Sequence, residues 1–394
     1  MGGKRGLQEA SVRGRRVLVR VDFNVPLTAD GKIADDHRIR EALPTLEHLR
    51  AAGARTILMS HLGRPDGRVD PRYTLKPVAH RLSALLGQPV PMAADVVGVH
   101  AIEATARLQN GQFLLLENLR FSPGEEANDP GFAAQLARLG EVFVEEAFGT
   151  VHRAHASTVG VPRRLPSYAG LLVQREIQAL TPLREGPPRP YVAIVGGAKV
   201  ADKLPLLASF LGRADALLIG GALALPFLAR THPGIGPAAA DPALDRALAE
   251  FAAKASESGT RIVLPVDLVA EEPGGAGPRV VTLEEAPGPS ARYPDIGPAT
   301  VRAFREALAG SRTVFWNGPL GLAEDPRYAA GTRETLAALR EIGGHHVAAG
   351  GDSARVAADL GVSDAFGFVS TGGGAALEFV QGLELPGLAV LPDA

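Results

Sequence analysis

The stretch YVAIVGGAKVADKLPLLASFL, residues 191–211, joins a short apolar run to a helix-length segment through two glycines and two lysines. The run YVAIV has the apolar, β-branched character of a buried strand, and residues 202–211 have the apolar spacing of a helix. The glycines between them let the backbone approach a ligand, and Lys199 and Lys203 would lie one turn apart on that helix. This stretch therefore predicts a strand–loop–helix unit with an anion-binding turn.

The same alternation extends along the whole chain. Near-continuous apolar strands followed by amphipathic helices are typical of parallel sheets that are covered on both faces, so the predicted fold class is α/β. The predicted strands span 16–21, 55–59, 113–116, 142–144, 191–195, 215–219, 261–264, 313–316, 346–349 and 366–369. The predicted helices span 36–52, 74–86, 131–139, 202–211, 242–257, 298–309 and 330–341.

The boundary between two halves is predicted at 171–190. Residues 171–180 read as a helix, and four prolines and a glycine within 182–190 should then end it. The segment 271–297 is rich in Gly, Pro and Glu, and we expect it to be a surface excursion.

The bulk composition excludes several classes of function. The net charge of −2 gives no overall attraction to nucleic acid or to an anionic membrane. The chain has no cysteine, which excludes disulfides and thiolate chemistry and fits an intracellular protein. We see no signal peptide and no apolar run of about 18 residues, so we expect a cytoplasmic protein.

Polar side chains follow the strands of the first half where each strand ends. In open α/β sheets, ligands bind outside the carboxyl ends of the strands. Arginine and histidine side chains there suit a small, highly charged anion, because charge-assisted hydrogen bonds to its oxygens are strong. The side chains concerned are Asp22, Asn24, His61, Arg64, Asn118 and Arg120.

In the second half the strands end in glycines instead. GGDSARVAADL (350–360) reads as glycines, an N-cap at Asp352 or Ser353 and a helix whose first amides suit phosphate oxygens. Asp352 could also hold Mg²⁺ that bridges such oxygens, although a plain helix cap gives the same pattern. Of the two lysines, Lys199 is the better candidate to stabilise a transferring phosphoryl group, the alternative being two solvated surface lysines.

Simpler interpretations stay open for several of these residues. Arg20 and Asp22 share a strand face, and such a pair is often only an ion pair. Arg38 follows Asp35 and Asp36, which suggests an ordinary salt bridge.

Two further clusters of titratable residues stand out. HRAHAST (152–158) sets Arg153 between two histidines, and three such basic groups repel unless an anion joins them. A metal site there is a weaker interpretation, because no carboxylate stands at ligand spacing. Glu145 and Glu146 could indicate acid–base chemistry, but nothing else in the chain supports a hydrolase.

Taken in order, segments of this chain resemble the phosphoglycerate kinase family. The likeness covers essentially the whole chain, and several of the segments are six or more residues long. They are GRRVLVRVDFNVPL, ALPT (42–45), SHLGRP (60–65), LLLENLRF, AFGTVHRAHAST, AIVGGAKVADK, WNGP, AAGT (329–332), GGDS, STGGGAALEF and ELPGLAVL.

The resemblance implies two Rossmann-like three-layer α/β/α domains with parallel sheets, joined by a bridging helix, with a cleft between them. It implies a 3-phosphoglycerate-binding domain at 1–170, an interdomain helix and hinge at 171–189, and a nucleotide-binding domain at 190–382. The tail at about 383–394 would pack back on the first domain.

The resemblance also implies a site, carried over residue by residue. Arg38 and Lys199 would stabilise the transferring phosphoryl group, and Asp352 would lie near the metal. The substrate would contact Asp22, Phe23, Asn24, Arg38, His61, Leu62, Gly63, Arg64, Arg120 and Arg153. The nucleotide side would comprise Gly197, Lys199, Lys203, Asn317, Glu324, Gly350, Gly351, Asp352 and Ser353.

The activity that this resemblance implies is reversible, Mg²⁺-dependent, in-line phosphoryl transfer between 1,3-bisphosphoglycerate with ADP and 3-phosphoglycerate with ATP. This reaction would serve glycolysis and gluconeogenesis. The two domains would close on the substrates and exclude water during transfer. We expect a monomer without nucleic-acid or membrane partners. The alternatives are a catalytically weak paralogue that binds nucleotide and a two-domain solute-binding protein.

Several positions depart from the family's usual pattern. Glu145 and Glu146 stand where Asn-Asp is typical, and Val151 replaces a small alanine. These changes leave the phosphate-contacting residues intact, so they bear on the shape of the adenine pocket and on nucleotide affinity. Whether Glu145 and Glu146 alter the hinge stays open. The departures in the second half are Ala222, Pro226, Leu320 and Ala323.

Overall fold

The protein is described by a computed structural model over residues 3–235, 241–275 and 277–394. The chain divides into two compact units, of which the first comprises Met1–Gln178 and Glu384–Ala394 and the second comprises Ala179–Leu383. The division falls within the segment that the sequence indicates as a helix between the halves.

The first unit alternates strands and helices in chain order. Its elements are β1 (Arg16–Arg20), α1 (His37–Ala51), β2 (Arg55–Met59), α2 (Lys76–Leu86), α3 (Val99–Arg107), β3 (Phe113–Leu115), α4 (Pro123–Glu126), α5 (Pro130–Arg138), β4 (Val142–Glu145) and β5 (Ser167–Ala169). They are followed by α6 (Leu171–Arg184), and α14 (Pro386–Ala389) lies near the carboxyl terminus.

The five strands of the first unit form one parallel sheet in the order β3-β2-β1-β4-β5. The chain steps outward from β1 through β2 to β3 and then returns to the other side of β1 with β4. At such a switch point the loops diverge and leave a crevice outside the carboxyl ends of the strands. The candidate residues after β1 and β4 therefore flank that crevice.

The second unit contains a larger parallel sheet. Its elements are β6 (Tyr191–Val195), α7 (Val200–Phe210), β7 (Ala216–Ile219), α8 (Leu225–Ala229), α9 (Pro242–Ser258), β8 (Arg261–Val263), β9 (Asp267–Glu271), β10 (Arg279–Thr282), β11 (Arg292–Ile296), α10 (Pro298–Leu308), β12 (Thr313–Asn317), α11 (Ala330–Ala337), β13 (His345–Ala348), α12 (Gly351–Asp359), β14 (Phe368–Val369) and α13 (Gly374–Gln381).

Six of these strands pair in parallel in the order β14-β13-β12-β6-β7-β8. The switch point lies between β6 and β12, so the loops that begin at Gly196 and Gly318 flank the second crevice. The core beneath it includes Trp316, which stacks on Phe366 with 5.4 Å between ring centroids. The predicted α/β class with parallel sheets is confirmed in both units.

A second, antiparallel sheet of three strands was not predicted. β9 pairs with β10 on one side and with β11 on the other, where the sequence suggested only a surface excursion at 271–297. Its buried side chains, among them Leu268, Val281 and Tyr293, form a separate small core. The runs between the glycines and prolines are too short to reveal pairing partners, which long-range contacts decide. Residue 276 of this segment lies outside the described residues.

Two smaller features also differ from the sequence interpretation. The three-residue strand β5 was missed, because so short a run carries no periodicity. The expected end of α6 before Pro182 is wrong, since the helix continues through Pro182 to Arg184. Because Pro182 lies in the last turn, it removes one amide donor, towards Gln178, and leaves the preceding turns intact.

The carboxyl-terminal residues belong to the first unit. Lys4 Nζ donates to Asp393 Oδ1 at 2.7 Å and to the Leu391 carbonyl at 3.1 Å. Gly387 N donates to the Val151 carbonyl at 2.8 Å. Among the described residues, no helix has both the length and the apolar character needed to cross a membrane.

Candidate active site

The carboxyl end of β1 carries an ion pair between Asp22 and Arg38. Arg38 lies in the first turn of α1 and reaches Asp22, the second residue after β1 and sixteen positions earlier in the chain. The interpretation of Arg38 as a partner of Asp35 or Asp36 is therefore wrong. Asp36 instead accepts a hydrogen bond from Arg40 Nε at 2.8 Å. The ion pair with Asp22 places the charge of Arg38 beside the crevice.

The loop after β2 is held by side-chain amides that follow β1 and β3. Gly63 N donates to Asn24 Oδ1 at 2.9 Å, and Leu62 N donates to Asn118 Oδ1 at 3.2 Å. Gly63 has a φ of 62°, and a Cβ there would lie 2.3 Å from the ring of Tyr73. Only glycine fits this turn, which fixes the backbone between His61 and Arg64.

Arg120 is a buried cation in the same loop system. It is 4% exposed, its NH1 donates to the Gly63 carbonyl at 2.7 Å, and its NH2 lies 3.0 Å from Glu126 Oε1. Burial lowers the pKa of Arg120, and Glu126 opposes that shift. Its guanidinium therefore braces the loop at Gly63 while it keeps its charge near the crevice.

Arg20, the last residue of β1, was not among the predicted site residues. Among the described residues it pairs not with Asp22 but with Ser157 and His61, through Nε to Oγ at 2.8 Å and NH2 to Nδ1 at 3.2 Å. Arg20 is 1% exposed. A charged residue inside an apolar strand requires such partners, so its position in RVLVRV was itself a signal.

The two histidines of the HRAHAST segment are neutral, because their pKa values are lowered. Burial, followed by the charge of Arg20, lowers the pKa of His155 to about 4. Burial and Arg153 likewise lower the pKa of His152. Arg153 Nε donates to His152 Nε2 at 3.2 Å, so this imidazole acts as an acceptor. The expected repulsion between three cations is thus removed without an anion.

Glu145 and Glu146 are both fully buried behind this edge. Glu146 accepts hydrogen bonds from Leu172 N at 3.2 and 3.3 Å, and Thr45 Oγ1 accepts from Leu171 N at 2.9 Å. Burial raises the pKa of Glu146 to about 8, against the opposing hydrogen bonds. The side chains of Glu146 and Thr45 thus accept hydrogen bonds from the first amides of α6. Glu146 therefore caps this helix and is not exposed to a substrate.

Glu146→Gln should alter stability in a pH-dependent way. Because the folded-state pKa lies above the unfolded value, the favourable contribution of the protonated carboxyl is complete below about pH 4.5 and is lost as pH rises through about 8. Glutamine stays neutral, so we expect the variant to match the parent near about pH 5 and to gain roughly 2–5 kcal/mol relative to it near about pH 9. Urea unfolding followed by circular dichroism at both pH values measures the difference.

Glu141→Gln is the matched control for this experiment. Glu141 is half-exposed, and a hydrogen bond from the Arg16 backbone amide lowers the pKa of its carboxyl. Its contribution is therefore present above the unfolded pKa and lost on acidification, which is the opposite direction. An identical effect of Glu146→Gln at both pH values would contradict a buried, protonated carboxyl.

The second unit presents glycine backbone at its switch point. A Cβ on Gly196 would lie 2.1 Å from the Pro319 carbonyl oxygen, so the loops after β6 and β12 touch through bare backbone. Gly197 has a φ of 120°, in the region that favours glycine. This close approach leaves backbone groups, with no intervening side chain, at the edge of the crevice.

The two lysines of the motif occupy different environments. Lys199 is exposed and precedes α7 in extended conformation, so it does not share that helix with Lys203 as predicted. Lys203 is half-buried and donates to Asn317 Oδ1. Burial lowers the pKa of Lys203, and Asp352 opposes that shift. Lys199 is therefore the exposed cation of the pair, and Lys203 is hydrogen-bonded to the end of β12.

Both polar atoms of the Asn317 side chain are hydrogen-bonded within the protein. Its Nδ2 donates to the Ala349 carbonyl at 2.6 Å, while its Oδ1 accepts from Lys203. Asn317 is 3% exposed. It joins the ends of β12 and β13 and orients Lys203, so its effect on a nucleotide would pass through Lys203.

α12 begins two or three residues earlier than predicted. Its N-cap is Gly350, with a φ of 111°, and neither Asp352 nor Ser353 occupies the cap position. A Cβ on Gly350 would lie 2.4 Å from Asn317 Nδ2, which excludes the usual polar cap residues. Ser353 Oγ accepts from Gly318 N at 2.9 Å. Asp352 is left exposed in the first turn.

A cavity of about 560 Å³ lies in the second unit beside these residues. Its size suits a drug-sized or nucleotide-sized ligand. Two of the departures noted in the sequence affect it: Ala222 lines the wall, and the buried Leu320 packs behind it against Gly220. The polar and glycine residues of the lining include Gly197, Gly221, Glu324, Asp352 and Arg355.

No cluster of three or more metal-ligating side chains occurs in the part of the chain that the structure describes. Mg²⁺ is usually held by one or two carboxylates together with substrate phosphates, and a protein cage is not required. The exposed Asp352 on the cavity wall fits that arrangement.

The sequence model of phosphoglycerate kinase matches residues 7–383. The chain belongs to the phosphoglycerate kinase family. A phosphoglycerate kinase of Rubrobacter xylanophilus is 48% identical over 392 residues, which cover 99% of this chain and 98% of that protein. One from Pelotomaculum thermopropionicum is 46% identical over 393 residues, with 99% of both chains covered.

Solved phosphoglycerate kinases share the fold. The structure of the enzyme from Coxiella burnetii matches with a TM-score of 0.87 at 34% identity, and 98% of each chain is covered. That from Pyrococcus horikoshii matches with a TM-score of 0.85 at 31% identity. As a phosphoglycerate kinase family member, the chain is a phosphotransferase with a carboxyl group as acceptor, which confirms the family and the class of enzyme inferred from its motifs.

Proposed function

We propose that this protein reversibly transfers a phosphoryl group between 1,3-bisphosphoglycerate with ADP and 3-phosphoglycerate with ATP. The observation that carries the proposal is the cation cluster at the carboxyl edge of the first sheet. Arg38, Arg120 and Arg153 are combined there with neutral histidines. Such a cluster suits an acceptor that carries both a phosphate and a carboxylate.

The chemistry requires no general base. The acceptor carboxylate is already ionised at neutral pH, so its oxygen can attack phosphorus without losing a proton. In-line phosphoryl transfer depends mainly on positioning and on neutralisation of charge at the transferring group. Arg38 and the exposed Lys199 are the two cations that we assign to that role.

The nucleotide is assigned to the cavity of the second unit. Amides at the start of α12 would hold phosphate oxygens, Lys203 would contact them from the end of β12, and Glu324 lies on the cavity wall. Asp352 would hold Mg²⁺, which supplies neutralisation of phosphate charge when bound. We further propose that the protein acts as a cytoplasmic monomer in glycolysis and gluconeogenesis.

A coupled assay tests this proposal directly. The protein is given 3-phosphoglycerate and Mg-ATP, and NADH oxidation by glyceraldehyde-3-phosphate dehydrogenase reports the acyl phosphate product. We expect turnover that depends on all three components. Folded protein that binds ATP without turnover would favour the weak paralogue, and binding of neither substrate would favour a solute-binding protein.

Arg64→Ala tests the substrate side of the proposed site. Arg64 is exposed at the loop that Gly63 fixes, so it is free to meet an incoming phosphate. Loss of one charge-assisted hydrogen bond should raise the KM for 3-phosphoglycerate by about 10–100-fold and change kcat less. Arg68→Ala, at an exposed position four residues later, is the matched control. An unchanged KM would remove Arg64 from the substrate contacts.

A further inference from the structure

His61 lies in a strongly cationic part of the first unit. It is 3% exposed, and burial, followed by the charges of Arg20, Arg120, Arg153 and Arg38, lowers its pKa well below the usual value. The carboxylate facing it is Asp22, whose Oδ1 lies 3.9 Å from His61 Nδ1. A positive charge on the imidazole would be repelled by these arginines from several sides, so the neutral ring is favoured.

The contact with Arg20 decides which ring nitrogen carries the proton. Arg20 NH2 lies 3.2 Å from His61 Nδ1. A guanidinium has five donors and no acceptor, and it stays protonated in proteins. His61 Nδ1 must therefore accept this hydrogen bond through its lone pair. In a neutral imidazole the proton is then on Nε2, which becomes a hydrogen-bond donor.

Arg20 is itself held by a buried carboxyl. Its Nε donates to Ser157 Oγ at 2.8 Å, and Ser157 Oγ donates to Glu125 Oε1 at 2.6 Å. Ser157 N donates to Glu125 Oε2 at 3.0 Å. Arg20, Ser157 and Glu125 are all 0–1% exposed. Because both oxygens of Glu125 accept from Ser157, the serine hydroxyl is oriented to accept from Arg20.

We propose that Arg20 is a positioning residue that holds His61 as the neutral tautomer with its proton on Nε2, and that Glu125 holds Arg20 through Ser157. On this assignment His61 offers the substrate a directed neutral donor, and the surrounding arginines supply the charge. The tautomer is a property of the free protein, whereas the contact of Nε2–H with an oxygen of 3-phosphoglycerate rests on the proposed function.

The tautomer is measured in the full chain with ¹⁵N-labelled histidine. Two-bond ¹H–¹⁵N correlation spectra distinguish a bare from a protonated ring nitrogen, and loss of a signal in His61→Gln assigns it. We expect a bare Nδ1 and a protonated Nε2 at neutral pH, and an unchanged tautomer on acidification to about pH 5. A protonated Nδ1 in the parent protein, or a doubly protonated ring at neutral pH, overturns the proposal.

Arg20→Met tests the cause, because methionine has a similar length but no donor. We expect mixed tautomers at His61, with a KM for 3-phosphoglycerate raised about 10-fold and a KM for ATP unchanged. Arg16→Met, at the other end of β1, should change neither the tautomer nor the KM. An Arg20→Met protein that retains both the parent tautomer and the parent KM overturns the proposal.

The milder Ser157→Ala keeps the test informative if Arg20→Met does not fold. It removes only the hydroxyl between Glu125 and Arg20. We expect His61 to shift partly towards mixed tautomers, as in Arg20→Met. An unaltered His61 spectrum in folded Ser157→Ala would remove Glu125 and Ser157 from the proposal. Absence of kinase turnover in a parent protein that shows the Nε2–H tautomer would refute the proposed function while supporting the role of Arg20.

Discussion

Lys199→Ala is expected to lower kcat by about 10²–10³-fold, with a smaller change in the KM values of both substrates. Lys199 is exposed and lies outside α7, whereas Lys203 is fixed to Asn317. An exposed cation can contact the transferring phosphoryl group as charge develops on it. Removal of such an interaction affects the transition state more than the ground state. Steady-state kinetics with 3-phosphoglycerate and Mg-ATP measure both parameters.

Lys254→Ala provides the matched control. Lys254 is an exposed lysine on α9, in the same unit, and does not line the cavity. Its replacement should leave kcat and both KM values unchanged. If Lys199→Ala raises KM and leaves kcat intact, Lys199 contributes to uniform binding and not to transfer.

Arg38→Ala is expected to reduce kcat by about 10³-fold or more, because an arginine that neutralises a transferring phosphoryl group has effects of that order. Its present partner is Asp22, so the guanidinium is already held at the end of β1. Arg38→Lys keeps the charge but loses the planar fork, and we expect it to recover only part of the rate. The measurement is kcat under saturating concentrations of both substrates.

Arg40→Ala separates this effect from a general change in α1. Arg40 lies two residues further along the same helix and pairs with Asp36 on the exposed side. We expect its kcat to equal that of the parent protein. A comparable loss of rate in Arg40→Ala would indicate damage to α1, and full activity of Arg38→Ala would exclude Arg38 from the transfer step.

Local sequence was sufficient for most of the two parallel sheets. β2 and β6 have the predicted bounds, since each is a run of apolar residues bounded by polar residues or glycine. The helices α1, α9 and α10 also lie within one residue of their predicted ends. The antiparallel sheet was missed because contacts between its strands decide their pairing, and no local pattern within 271–297 encodes those contacts.

In the candidate site, too, some features follow from local sequence and others only from tertiary contacts. Family resemblance, rather than residue chemistry, singled out Arg38, because its neighbours Asp35 and Asp36 offered a sufficient local explanation. The contact with Asp22 that overturns this explanation exists only once α1 packs against the sheet. The contact of Arg20 with Ser157 joins residues 137 positions apart, and no sequence pattern encodes it.

By itself, the sequence determined the strand–helix alternation and the chemistry at each strand end: arginine and histidine in one half, lysine and glycine in the other. These properties depend on neighbouring residues and on side-chain type, so they can be read locally. The tertiary structure alone decided the order of the strands, and with it which strand ends lie at each switch point. It also decided the protonation of the buried histidines and carboxyls, because burial and the charges of distant residues shift their pKa values.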